Sequence, residues 1–144
     1  HWLIIVVCHT TTRDDSRPAV CAGLSLILGL AINQLILLAV HRVRPYDAGV
    51  THLLIDRSAD WSFPSDHATA SISVACAFLF KQLPKRTLLM LAIASIVCWS
   101  RVHVGMHYVS DNLGGAVTGL IAAIVIQFVY REGNPIDRFV TRML

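Results

Sequence analysis

Apolar residues run almost unbroken through four stretches of the chain, and the polar residues gather between them. Pro18 to Val40, Ala68 to Phe80, Thr87 to Ser100 and Asn112 to Tyr130 contain no Asp, Glu, Lys or Arg. Segments of this kind read as helices that are apolar all round, the pattern of membrane spans. Two of them reach the ~20 residues needed to cross a bilayer only when flanking polar positions are counted. The opening run, Trp2 to Cys8, is too short to cross at ~1.5 Å per residue and reads as the end of a cut helix. The expected fold class is all-α, an integral-membrane helical bundle of about five helices with the N-terminal one truncated. A single domain over 1–144 is expected, an excised piece lacking its first helix or helices.

Local signals mark the ends of these elements. Asp14, Asp15 or Ser16 is placed to cap a helix before Pro18, and that helix is expected to reach His41. Arg42 to Phe63 is polar, carries Pro45 and Gly49, and shows no sustained period, so it is expected to be a long loop of functional interest. Pro64 and Ser65 supply a breaker and a cap for the next helix, whose Ala68, Ala70, Ser71, Ser73, Ala75 and Ala77 suit close packing. Lys81 to Arg86 is a short basic turn that makes an antiparallel hairpin. The following helix is expected from Thr87 to Arg101 or a little beyond, and the last from His107 to Tyr130, with a polar tail, Arg131 to Leu144. Gly115 and Gly119, four apart, let helices touch backbone to backbone inside the bundle. Asn33 and Gln34, the only strongly polar residues inside the first long run, are expected to face other helices.

Composition sharpens this picture. The 144 residues are 55% hydrophobic and 15% charged, against a soluble norm of about 25% charged. The net charge of +3 is small, and its distribution says more. Counting loops in alternation, Arg13, Arg17, Lys81, Lys85, Arg86, Arg131, Arg138 and Arg142 share one side, and Arg42, Arg44, Arg57 and Arg101 the other. The richer side is expected to be cytoplasmic, which puts the loops around Arg44 and His107 on the extracytoplasmic face of a cell membrane. The basic residues form no continuous stripe, which argues against nucleic acid as a partner. Cys8, Cys21, Cys76 and Cys98 lie in or beside apolar runs without metal-site spacing and read as buried small side chains.

Three polar clusters remain, all at helix ends on that one face: His41 to Asp47, Pro64 to His67, and Ser100 to Asp111. Arginine is costly near hydrocarbon, so Arg44 and Arg101 at the mouth of one bundle point to a fixed anion, with phosphate favoured by the guanidinium fork. A helix N-terminus at Ser65 adds backbone N–H groups and a hydroxyl. If the backbone around His107 is helical, His107 and Asp111 lie one turn apart. The carboxylate then holds one ring nitrogen and leaves the other free as nucleophile or base.

Together these residues resemble the three-part pattern of the type 2 phosphatidic acid phosphatase (PAP2) superfamily. Its parts are a lysine, six residues, then Arg-Pro; Pro-Ser-Gly-His; and Ser-Arg, five residues, His, three residues, Asp. Here they stand as Arg44-Pro45, Pro64-Ser65-Asp66-His67, and Ser100-Arg101 with His107 and Asp111. Leu37 replaces the lysine and Asp66 the glycine. His41, on the face of Leu37 and Arg44 if the helix continues, is expected to take part of the lysine's role. Asp66 is unfavourable beside an anion unless it points away or caps the helix. With Asn33-Gln34 upstream, these departures are similar to the undecaprenyl diphosphate phosphatase branch, the bacitracin-resistance type.

The resemblance implies a membrane phosphatase that converts undecaprenyl diphosphate to undecaprenyl phosphate. His107 would be the phosphohistidine nucleophile, Asp111 its support and His67 the general acid. Arg44, Ser65, Ser100, Arg101 and His41 would bind the phosphoryl group. It implies a polyprenyl diphosphate substrate among membrane lipids, no cofactor and no metal. His103, Tyr46, Asp47 and Arg57 are further candidates for substrate contact. The alternatives are a phosphatase for phosphatidic acid, phosphatidylglycerol phosphate or another lipid phosphate, and a non-catalytic membrane protein that binds lipid phosphates.

Overall fold

The computed structural model describes residues 16–130. The cut helix expected over His1 to His9 and the polar tail after Tyr130 lie outside them. Among the described residues there are four helices and no strand: α1 (Ser16–Ala39), α2 (Asp66–Phe80), α3 (Pro84–His103) and α4 (Val109–Val129).

Their boundaries depart from expectation where prolines and glycines act. Pro84 starts α3 instead of lying inside a turn that runs to Arg86, because proline at the first helical positions loses no hydrogen bond. The hairpin before it closes through Gln82, whose φ is 54°. At the other end of α3, Gly105 adopts φ 80°, a left-handed conformation that stops the helix. As a result α4 begins at Val109 instead of His107, and His107 lies in the turn before it.

α2 is the central element and packs against α1, α3 and α4. It approaches α1 and α4 closely because glycines of those helices face it. A Cβ at Gly119 would come within 2.6 Å of the Thr69 carbonyl oxygen, and one at Gly29 within 2.8 Å of Thr69 Cγ2. Gly115 meets the Ser65 carbonyl in the same way, so Gly115 and Gly119 pack inside the bundle. Toward the Lys81 end, Ala22, Val74, Ala75, Ala77, Phe78 and Met90 form an apolar core between α1, α2 and α3.

The outside of the bundle is more apolar than its seams. Leu35, Leu38, Leu88, Ile96, Trp99 and Phe128 are exposed, while Asn33, Ser65, Thr69, Ser73 and Asp111 are fully buried. In water this distribution would leave a large apolar surface uncovered. α1 and α4 are long and apolar enough to cross a membrane. Cys21 and Cys76 are buried.

Candidate active site

The site forms where the C-terminal ends of α1 and α3 meet the N-terminal ends of α2 and α4. The loop from Val40 to Ser65 folds over this end, and Arg44 holds it there. Its guanidinium donates to the carbonyls of Asp60 (2.7 Å), Met106 (3.2 Å) and Trp61 (3.3 Å) and to Ser58 Oγ (3.2 Å). Tyr46 is buried and gives its hydroxyl to the Ser58 carbonyl at 3.1 Å. Asp47 and Arg57 form an exposed ion pair at 3.4 Å. Leu54 N–H and Thr51 Oγ1 then reach the carbonyls of Val104 and Gly105, both at 3.3 Å, fastening the loop to the α3–α4 turn.

That attachment sets the ring of His107. Its Nδ1 lies 2.8 Å from the Ser62 carbonyl. A carbonyl only accepts, so Nδ1 carries a hydrogen, and in the neutral ring the lone pair is then on Nε2. Asp111 Oδ2 is 3.7 Å from the same nitrogen, a distance for charge interaction and not for a hydrogen bond. The expected direct Asp111–His107 hydrogen bond is therefore replaced by one to Ser62, because His107 stands outside α4 and a helical turn does not stack the two residues. Asp111 is instead surrounded by donors. Its carboxylate accepts from Ser62 Oγ, from Tyr108 N–H at 2.9 Å and from Arg42 Nη1 at 2.7 Å. Arg42 also donates to Ser110 Oγ at 2.8 Å and lies 4.3 Å above the Tyr108 ring.

Arg42 and Ser62 were not singled out by sequence reasoning. They lie 69 and 49 residues from Asp111 along the chain, and neither occupies a specified motif position.

The second half of the site is the start of α2. Ser65 caps the helix by position, yet its side chain makes no capping bond, and its fully buried Oγ has no partner. The first helical hydrogen bond is Thr69 N–H to the Ser65 carbonyl, so the N–H groups of Asp66, His67 and Ala68 have no carbonyl within the helix. Ser65 N–H donates to the Asp111 carbonyl at 3.1 Å, tying the starts of α2 and α4 together. Arg101, in the last turn of α3, has a buried Nε without a partner. The exposed His67 lies within electrostatic reach of Arg101, His107, Asp66 and Arg44.

Three candidate residues sit differently. Ser100 Oγ donates to the Val97 carbonyl at 2.8 Å, so its one hydrogen is already placed. His103 is exposed and stacks on Trp99 at 6.3 Å between ring centroids. His41 is exposed and packs edge-on against Trp61 at 5.0 Å, beside a shallow pocket lined by Gln34, Leu37, Leu38 and Asp60. α1 stops at Ala39, so the shared helical face with Arg44 on which a phosphate role for His41 rested does not exist. Asp66 has a partner of its own: its Oδ1 accepts from Asn33 Nδ2 of α1 at 2.8 Å.

Unpartnered donors beside a histidine with a free Nε2 make a site suited to holding an anion and attacking it. Several known proteins are similar to this chain. The chain is 39% identical over 129 residues to undecaprenyl-diphosphatase BcrC of Bacillus subtilis (strain 168), covering 89% of this chain and 64% of that protein. It is 37% identical over 89 residues to putative undecaprenyl-diphosphatase YbjG of Escherichia coli (strain K12), covering 61% and 44%. The crystal structure of a transmembrane PAP2 type phosphatidylglycerolphosphate phosphatase from Bacillus subtilis superposes with a TM-score of 0.58 at 27% identity, over 88% of this chain and 66% of that one. The chain thus spans about half to two thirds of the length of these relatives. The PAP2 superfamily model matches residues 18–134, and with the helical fold and the three motif segments gathered at one end of the bundle, the chain belongs to the PAP2 superfamily.

Proposed function

We propose that this chain is the catalytic part of a membrane lipid-phosphate phosphatase that hydrolyses undecaprenyl diphosphate to undecaprenyl phosphate. The observation that carries the reading is the fixed ring of His107, with Nδ1 on the Ser62 carbonyl and Nε2 open. In the proposed reaction the Nε2 lone pair attacks the terminal phosphorus and forms a P–N bond. The P–O bond to the lipid phosphate breaks as His67 protonates the departing oxygen. Water, activated by the same imidazole, then cleaves the P–N bond and releases inorganic phosphate. Asp111 stabilises the charge that His107 gains on phosphorylation, as the aspartate of a hydrolase triad does for its histidine. Arg101, Ser65 Oγ and the first N–H groups of α2 hold the phosphoryl oxygens, while Arg44 shapes the wall of the site through the loop.

The substrate reading draws on the identity to BcrC and on the exposed apolar belt, which suits a long lipid. In this reading the bundle lies in the cell membrane with its site at the extracytoplasmic edge; the two spanning-length helices support the first part, and the count of lysine and arginine over alternating segments of the sequence supports the second. A second reading, hydrolysis of phosphatidylglycerol phosphate or another lipid monophosphate, is favoured by the fold match to the Bacillus subtilis phosphatase. It changes the pocket and not the chemistry.

Phosphate release from undecaprenyl diphosphate, measured beside diacylglycerol phosphate, separates the two. His107→Ala should lower turnover of the preferred substrate at least ~10⁴-fold. Radiolabelled phosphate should be trapped on the wild-type histidine as an acid-labile adduct. Full turnover by His107→Ala would end the proposal.

A further inference from the structure

Asn33 is fully buried in α1 and occupies none of the specified motif positions, and its amide group does two things. One Nδ2 hydrogen goes to Asp66 Oδ1 and the other to Thr69 Oγ1, both at 2.8 Å. Thr69 in turn donates to the Gly115 carbonyl at 3.0 Å, so the amide links α1 through α2 to α4. Asn33 Oδ1, by contrast, is buried and has no partner. The side chain is thus oriented by what its NH₂ group donates to and gains nothing through its carbonyl. Asp66 is the first residue of α2, adjacent to Ser65 Oγ and to the free N–H groups. Its charge is felt by His67.

A carboxylate in the first turn stabilises a helix, but here it competes with any anion for the same positive end. We propose that Asn33 is a positioning residue for phosphoryl binding: by hydrogen bonding Asp66 it draws that carboxylate toward α1 and keeps the N-terminus of α2 open to a phosphate group. The inference rests on the reading of that N-terminus as the phosphoryl site. It explains how the chain carries an aspartate where the family pattern has glycine. It also distinguishes Asn33 from a residue that only packs helices, because the damage done by removing Asn33 must depend on Asp66 being present.

The test uses orthovanadate as the probe and titrates it calorimetrically into the whole chain in detergent micelles, with the thermal midpoint recorded for each variant. Asn33→Leu frees the Asp66 carboxylate and should weaken vanadate binding roughly tenfold, the scale of one like charge approaching a partly screened anion. Asn33→Leu with Asp66→Gly should restore affinity to within about threefold of wild type. Asn33→Ser, with a smaller volume change, should show the same dependence on Asp66 in a milder form and serves if the leucine variant does not fold. Unchanged affinity in a folded Asn33 variant overturns the inference, as does a folded double variant as weak as the single one. Absence of vanadate binding by the wild-type chain would instead overturn the phosphoryl-site reading itself, and the inference with it.

Discussion

Arg44 and Arg101 are both motif arginines at the same end of the bundle, and their surroundings differ sharply. The Arg44 guanidinium meets three carbonyls and a serine hydroxyl contributed by the covering loop and the α3–α4 turn. Arg101 projects from the rigid last turn of α3, with a buried Nε that meets no acceptor. A buried donor without a partner costs ~1–3 kcal/mol, and such a cost persists where a ligand removes it. In the proposed function the contrast separates an arginine that builds the wall of the site from one left to bind the phosphoryl group, although their places in the motif look alike.

Substitutions can break this comparison. Arg101→Ala should produce the larger catalytic loss, ~10²–10³ in kcat/KM for the removal of one preorganised donor, with a thermal midpoint at or slightly above wild type. Arg44→Ala should reverse the balance. It leaves carbonyls of Asp60, Met106 and Trp61 without their donor and should destabilise the chain by ~2–3 kcal/mol, seen as a lower midpoint in detergent. Arg44→Lys should not repair it, because an ammonium cannot span the same acceptors. If lysine restored both stability and rate, charge alone would explain Arg44 and the comparison would fail. The smallest effect is expected at His41: on the outside of the site against Trp61, its replacement by alanine should alter KM by no more than about twofold. A larger rise in KM would return His41 to the role of the missing lysine.

Much of this arrangement is legible along the chain. The four apolar runs become four helices because each is too long and too apolar to be anything else, and the small residues of α2 and the glycines of α4 announce a close seam. The spacing from Ser100 to Asp111 carries the resemblance to the PAP2 superfamily, to which the chain belongs. The partners of Asp111 are not visible in that spacing. Arg42 and Ser62 arrive from a loop without periodicity, and nothing in their neighbours signals that they converge on a carboxylate dozens of residues away. The extrapolation of α1 through His41 to Arg44 fails for a related reason. Helix ends depend on where the next segment must travel, and the loop must turn at Val40 to lay Arg44 against the carbonyls of residues 60 and 61.

Local chemistry therefore determined which segments are helical and which residue types stand at their ends, and the motif spacing carried the resemblance from which an anion site with a histidine nucleophile is proposed. The folded bundle decided which of those groups still have a hydrogen bond to give. Ser100 and Arg44 have theirs engaged by backbone carbonyls, Asp66 is drawn aside by Asn33, and Ser65 and Arg101 remain unpartnered. A hydrogen bond is allocated among the acceptors within about 3 Å, and at this end of the bundle some of them, such as the Met106 carbonyl for Arg44, come from remote parts of the chain.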